Sequence, residues 1–487
     1  MTVADAVRAP DAHIPGAWRL AADALAAAGC RAVFGLPPDE PGLVDAALRH
    51  PALDVRVVGD QRVAACAAAG YALAEREPAV LALDSGPSFA NAIVGLLEAS
   101  SLGAPVVVVT SRIDAALVGR GGFQYLDQRA LIAPVAEWSV LVDAPGRLGW
   151  ALRRAVSRSL NGRSGVTVVE VAKEVVEAPT GGPDEQAGAA PVTRYRSVAD
   201  AGEVRRAVGT LTAARRPVIV VGGGWKWSGG STEVAQLAEA LSAPVFTTAA
   251  GRGAIDEHHP CSFGLAGLYT SPPAERLLDG ADAVLLLASR FEETARMGWE
   301  SWRTAAVVQV DRSPDAFGES AEDVLGLLGD AGPTAAALLA GLRAVGQPCR
   351  RGWRRLQEEV RAAQRGGPRA GFERSPVRAG IREAMELLGP VAAIVQENGL
   401  HDIWSYDVAV LAVPPGVRVV CPGEQTMMGF GMGAAVGAAV ACDRGSVTVL
   451  FTGDAAFGLG VGALRAMREH SLGVVVVVFD DGGFGWP

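Results

Sequence analysis

Between about residue 14 and residue 175, short aliphatic runs alternate with Ala- and Leu-rich stretches of helical length. Ala32-Phe34, Val55-Val58, Val80-Leu83, Val106-Thr110 and Val166-Val171 are each strand-sized and carry few polar residues, as strands buried on both faces do. That rhythm predicts a parallel sheet covered by helices on both sides. The Pro-, Gly- and Ala-rich segment Ala178 to Pro191 interrupts it and reads as a linker, so a first domain is expected over residues 1–178. The rhythm resumes at Arg216-Pro217-Val218-Ile219-Val220-Val221 and continues through Pro244-Thr247, Ala283-Ala288 and Val307-Val310. It fades after Leu342, which predicts a central α/β domain over 195–343. A basic, Gly- and Pro-containing stretch from Cys349 to Ser375 reads as a second linker whose arginines form a solvated surface. The third unit, expected over 376–487, carries strands at Ala392-Val395, Val417-Cys421, Ser446-Phe451 and Val474-Phe479. Pro487 follows its last strand so closely that the strand would lack a covering helix. The expected fold is therefore α/β, three doubly wound parallel-sheet domains with the third truncated at its C-terminus.

Composition narrows the class. A chain of 487 residues is too long for one core and fits two or three domains. With 49% hydrophobic and 20% charged residues it matches a soluble α/β enzyme rather than a disordered or fibrous chain. The formal charge of -9 leaves no basic footprint, which argues against a nucleic-acid partner. Six cysteines are scattered without a CxxC, so neither a disulfide scaffold nor a zinc site is expected. The N-terminus has no apolar signal core and no window approaches 18 apolar residues, so a cytoplasmic protein without a membrane contact is expected.

The chemistry concentrates late in the chain. Gly453-Asp454-Ala455-Ala456-Phe457 closes one apolar strand and Phe479-Asp480-Asp481-Gly482-Gly483 closes the next, with Asp454 and Asp481 27 positions apart. That spacing suits a strand, helix, strand crossover that returns two carboxylates to one sheet edge. There they could share a Mg²⁺ ion whose remaining ligands are phosphate oxygens. The competing reading is two turn aspartates, which Gly-Asp and Asp-Gly dipeptides often are. Gly222-Gly223-Gly224 follows a strand, but Trp227 stands where the dinucleotide fingerprint needs its last glycine, so a dehydrogenase reading is disfavoured.

The order of motifs resembles the thiamine diphosphate-dependent enzymes of the acetolactate synthase and pyruvate oxidase group over essentially the whole chain. Val33-Phe34-Gly35-Leu36-Pro37 is similar to the opening strand and turn of that family. Asp60-Gln61 with Ala67-Ala68-Ala69-Gly70-Tyr71-Ala72 is similar to its Glu-Gln helix, and Ser85-Gly86-Pro87 with Asn91 and Gly95 to its glycine loop. Phe123-Gln124 matches the Phe-Gln that reaches the cofactor. In the middle, Gly251-Arg252-Gly253 and Ala288-Ser289-Arg290-Phe291 continue the likeness. Glu397-Asn398-Gly399-Leu400-His401-Asp402-Ile403-Trp404 is similar to the diphosphate segment, and Met427-Met428-Gly429-Phe430-Gly431 to the segment under the thiazolium ring.

The resemblance implies a thiamine diphosphate-binding fold, with Pro37, Asn91, His401, Met428, Gly453, Asp454, Ala455 and Ala456 at the cofactor. Asp454 and Asp481 fall on its two metal-ligand positions, and the Gly483 carbonyl is a candidate third ligand. Asp60 and Gln124 are the expected catalytic residues. Asp60 stands where the family has a glutamate that hydrogen-bonds the cofactor's pyrimidine. Losing one methylene withdraws that carboxyl by about 1.5 Å, and Asp is also a favoured helix N-cap, so activation and capping both remain open. Gln124 can donate to and accept from a substrate oxygen. The adjacent histidine pair of pyruvate decarboxylases is replaced by Gly121-Gly122.

The implied activity is a thiamine diphosphate- and Mg²⁺-dependent, acetolactate synthase-like transferase that decarboxylates a pyruvate-like 2-keto acid and passes the acyl carbanion to a second carbonyl, as in branched-chain amino acid biosynthesis. The alternatives are a 2-keto acid decarboxylase or specialised ligase of secondary metabolism, and a catalytically silent cofactor-binding homologue. A homodimer or homotetramer with sites between subunits is implied. Some relatives hold FAD on the middle domain, with contacts that this sequence does not assign.

Overall fold

The computed structural model describes residues 13–38, 40–179, 190–346, 350–365 and 375–483. Its first sheet is built from β1 (Ala32–Gly35), β2 (Asp54–Val57), β3 (Ala79–Leu83), β4 (Val106–Arg112), β5 (Trp138–Val142) and β6 (Thr167–Ala172). The second contains β7 (Pro217–Val221), β8 (Val245–Thr247), β9 (Ser262–Leu265), β10 (Ala283–Leu287), β11 (Ala306–Asp311) and β12 (Val324–Leu328). The third includes β13 (Ala393–Gln396), β14 (Thr448–Gly453) and β15 (Val474–Phe479). Six helices bear on function: α1 (Gln61–Glu75), α2 (Pro87–Ser101), α3 (Arg351–Arg365), α4 (Pro376–Leu388), α5 (Phe430–Val440) and α6 (Asp454–Gly460). No helix among the described residues is long and apolar enough to cross a membrane.

The strands pair in parallel, as their two-sided burial requires. The first sheet runs β2-β1-β3-β4-β6-β5 and the second β12-β11-β10-β7-β8-β9. In each, the crossovers depart toward opposite sheet edges from a central pair of parallel strands, β1 and β3 in one and β7 and β10 in the other. A crevice opens at the carboxyl ends of such a pair. β13, β14 and β15 lie side by side, Ile394 opposite Val449 and Val449 opposite Val475. The three α/β sheets match the expected fold class. Tertiary contacts group the described residues into two compact units, one drawn from 1–195, 392–398 and 425–483 and the other from 196–391 and 399–424.

Within the first unit, α1 and α5 form the central packing. Both read as runs of Ala and Gly, and both are buried nearly all round. Small residues let the two backbones touch: a Cβ on Gly70 would sit 2.3 Å from the Ala434 carbonyl oxygen, and one on Gly437 1.9 Å from that of Ala67. Cys66 meets Gly433 in the same way. On its other flank α1 meets α2, where Gly95 lies against Ala65.

Two departures from the sequence reading have physical causes. The expected linker from Cys349 to Ser375 contains α3, because Trp353, Leu356 and Val360 at helical spacing make one apolar stripe among its arginines. Trp353 and Val360 are buried in the second unit's core, and the Trp353 indole donates to the Pro217 carbonyl at 3.1 Å. β5, β9 and β12 are additional strands. Cys30, Cys66, Cys261, Cys421 and Cys442 take part in no disulfide among the described residues. Cys349, residues 180–189 of the first expected linker and 366–374 of the second lie outside the described residues.

Substitution of Gly437 by alanine should therefore cost about 1–3 kcal/mol through overpacking. Gly209→Ala, where the added methyl meets nothing within 4 Å, should instead gain roughly 0.5–1 kcal/mol. Urea unfolding of the two variants reads both effects, and a neutral Gly437→Ala would contradict the close approach of α1 and α5.

Candidate functional site

At the carboxyl end of the β1/β3 pair, Leu36-Pro37 and the turn Asp84 to Pro87 face the crevice. The turn is locally specified: the Asp84 carboxylate accepts from the Ser85 N–H and the Ser111 hydroxyl, each at 2.8 Å. Gly86 has φ of +65°, which glycine alone adopts without strain, and its N–H donates to the Gln128 side chain at 3.1 Å. A Cβ there would meet the Gln124 carbonyl oxygen at 2.2 Å, so the turn carries the loop of Phe123 and Gln124 directly. Gln124 itself holds φ of +57° and is exposed, and Phe123 is 83% exposed.

Asp60 occupies the N-cap of α1, and its carboxylate accepts from the Val63 N–H at 3.1 Å. The next residue, Gln61, accepts from the Asn91 amide at 2.8 Å and ties α1 to α2. The structure thus brings Asp60, Gln61 and Asn91 together, and the group expected to activate a cofactor is also the one that caps the helix.

The loop that enters α5 is held from two sides by buried glutamates. Glu98 on α2, fully buried, accepts from the Met427 N–H at 2.9 Å. Glu397, just past β13 and equally buried, accepts from the Gly431 N–H at 2.8 Å and from the Asn398 N–H at 3.1 Å. Between these anchors Gly429 takes φ of +86° as the N-cap of α5, and Met428 projects with 41% of its surface exposed. Burial dominates the Glu397 titration and pushes it up to about 8 against the backbone donors that favour its anion; Glu98 adds to the upward push. Glu98 did not emerge from sequence reasoning. Its signal was a lone carboxylate on the inner side of an otherwise apolar helix, Leu96-Leu97-Glu98-Ala99.

The two metal candidates stand at the ends of adjacent strands. Gly453 at the end of β14 pairs with Phe479 at the end of β15, so Asp454 and the Asp480-Asp481 turn leave the same sheet edge. Asp454, Ala455 and Ala456 form the first turn of α6, with Ala456 buried. Asp481 is exposed and accepts from the Gly483 N–H at 3.1 Å, while Asp480 accepts from Gly482 at 2.9 Å. The turn geometry and the shared edge therefore coexist. Among the described residues no three His, Cys, Asp or Glu side chains are grouped as an all-protein metal cage. Two hard carboxylates at one edge fit instead a cation that completes its shell with ligand oxygens.

His401 belongs to the second unit, where it is 3% exposed at the start of a short helix, Asp402–Ser405. Beside it, burial pushes the Asp402 carboxyl up to about 7, and Asp402 accepts from the Tyr269 hydroxyl at 3.2 Å.

Comparison with known proteins gives a consistent result along the chain. Residues 17–131 match the model of the N-terminal TPP binding domain of thiamine pyrophosphate enzymes, 204–338 that of the central domain, and 397–486 that of the C-terminal TPP binding domain. The chain is 26% identical over 479 residues to a probable acetolactate synthase large subunit of Methanocaldococcus jannaschii, covering 95% of this chain and 79% of that protein. It is 27% identical over 457 residues to acetolactate synthase isozyme 3 large subunit of Escherichia coli, covering 92% and 79%. Oxalyl-CoA decarboxylase of the same organism is 24% identical over 471 residues, covering 93% and 79%.

A pH dependence follows from Glu397. In the unfolded chain it ionises in the ordinary carboxylate range, whereas the folded chain keeps its proton up to about 8. Unfolding then releases a proton across roughly pH 5 to 8, so this group's effect is to lower stability as pH rises through that window. Glu397→Gln, whatever its constant offset, should remove a slope of up to about 1.4 kcal/mol per pH unit. Denaturant unfolding of both proteins at several pH values checks it; parallel curves would mean that Glu397 is ionised in the fold.

Proposed function

Because the chain belongs to the thiamine pyrophosphate enzymes, we propose that it is a thiamine diphosphate- and Mg²⁺-dependent carboligase of the acetolactate synthase type, acting on a pyruvate-like 2-keto acid. The observation that carries the metal half of this reading is the pairing of Gly453 with Phe479, which sends Asp454 and Asp481 from one sheet edge. Their oxygen donor set suits a small hard cation bound together with a diphosphate. Bound there, thiamine diphosphate would supply a ring carbanion able to add to a 2-keto acid and stabilise the charge left when CO₂ departs.

The chain's own residues have defined tasks in this proposal. Asp454 and Asp481 hold the cation, with the Gly483 carbonyl as a third ligand. Met428, held between the anchors of Glu98 and Glu397, would pack against the bound cofactor. Pro37 and Asn91 line the pyrimidine side, and Gln124 orients the acceptor carbonyl by hydrogen bonding. Gly453, Ala455 and Ala456 keep the approach to the diphosphate free of bulk. Asp60 must supply or relay the proton contact on the pyrimidine while capping α1. Its engagement with the Val63 N–H favours a second reading, in which the protein binds the cofactor with little turnover.

The description of relatives as large subunits supports an oligomer. So does an exposed apolar set in the first unit, Val94, Leu97, Leu459, Val461 and Leu464, which a second copy would cover.

Calorimetric titration with thiamine diphosphate and Mg²⁺, followed by product analysis from pyruvate, tests the proposal. Saturable binding, weakened at least tenfold by Asp454→Asn, and acetolactate as product are expected; acetaldehyde instead would point to a simple decarboxylase, and absence of binding would end the cofactor reading. Asp60→Glu should raise turnover by up to on the order of a hundredfold if carboxylate reach limits it. Unchanged turnover would remove Asp60 from the chemistry.

A further inference from the structure

The second unit contains a cavity of about 360 Å³ beside Ser262, at the start of β9. Arg361 and Arg365 of α3 line it from one helix, Arg378 and Arg382 of α4 from another, and the apolar side chains of Val408 and Ala412 provide part of the wall. Its volume lies in the range of small-molecule sites, about 300–1,000 Å³.

Charge in this cavity is unbalanced. The one carboxylate on its wall among the described residues, Glu257, is already committed: it pairs with buried Arg252 through two contacts of 3.0 and 3.2 Å and accepts from the Val413 N–H at 2.7 Å. Among the described residues, four guanidinium groups therefore line one space with no uncommitted carboxylate on its wall. Both arginine pairs stand at i,i+4 on their helices, a spacing at which like charges repel. Burial, reinforced by Arg365, makes the charge on Arg361 harder to keep than usual.

The donors are also incompletely used. Arg361 spends one terminal nitrogen on the carbonyls of His259, Pro260 and Ser262 and stacks over Phe263 at 5.1 Å, which fixes its plane. Arg382 donates to the Ala409 carbonyl at 2.6 Å. Yet the Nε atoms of Arg361 and Arg378 are buried with no hydrogen-bond partner among the described residues. An unpaired buried donor is destabilising, more so on a charged group, and an anionic oxygen would satisfy it. Guanidinium forks match phosphate oxygens in geometry as well as charge.

We propose that this cavity binds a small phosphorylated metabolite carrying two or more negative charges, held by Arg361, Arg365, Arg378 and Arg382. The site is independent of the thiamine diphosphate reading, since none of its residues is assigned to that cofactor.

The test is calorimetry on protein saturated with thiamine diphosphate and Mg²⁺, so that its own phosphate site is filled, with fructose 1,6-bisphosphate as probe and citrate as the carboxylate comparison. One bisphosphate per chain is expected, with affinity falling as salt rises. Arg378→Gln combined with Arg382→Gln should weaken it at least tenfold, while Arg206→Gln, an exposed arginine elsewhere in the unit, should leave it unchanged. If the double variant does not fold, exposed Arg365→Gln carries the same expectation in smaller measure. Absence of binding, binding indifferent to these arginines, or citrate bound in preference to the bisphosphate would each overturn the proposal.

Discussion

The contact of α1 with α5 is the constraint from which the rest of the first unit follows. Two helices composed mainly of Ala and Gly approach until backbone meets backbone, at Gly70 and Ala434 and at Gly437 and Ala67. Such contact gives little hydrophobic area per residue but excludes alternatives, because any larger side chain separates the helices. Both helices start at candidate site positions, α1 after Asp60 and α5 after Met428 and Gly429. Fixing the helix pair therefore fixes the two starting points relative to each other, and the side chains there inherit that precision. Glu98 and Glu397 complete the arrangement by binding the loop backbone on either side of Met428, a task that needs buried acceptors and accepts the cost of burying them.

Much of this architecture was legible in the alternation of aliphatic runs. Strands such as Val474–Phe479 and Pro217–Val221 coincide with uninterrupted β-branched runs within sheets. The strands that were not legible are those whose sequence is mixed. Ser262–Leu265 contains Ser and Gly, Val324–Leu328 has a central Gly, and Trp138–Val142 is half-buried at a sheet edge, so none shows a clean period. In the candidate site, the shared sheet edge of Asp454 and Asp481 was readable because each follows an aliphatic run and the 27 positions between them leave room for a parallel crossover. The glutamate anchors were less visible: one carboxylate in an apolar helix says that something must satisfy it, and only the tertiary fold reveals the Met427 N–H as its partner.

Charge shows the limit of composition in another way. A net charge of -9 describes a sum, and it hides the four arginines that converge from α3 and α4 on one cavity. Arginines spread along a linker would be solvated separately. The stripe of Trp353, Leu356 and Val360 instead docks α3 on the core and turns Arg361 and Arg365 toward α4, so burial of apolar residues decides where the charges accumulate.

The pairing of α1 with α5 also has a dimension in time. Gly70 and Ala434 are separated by 364 positions, so during synthesis α1 exists long before the helix that covers it. At about 5–20 residues per second, the interval is roughly 20 to 70 s. For that period the face of α1 that α5 covers has no partner from its own chain, so this packing cannot form until synthesis has passed α5.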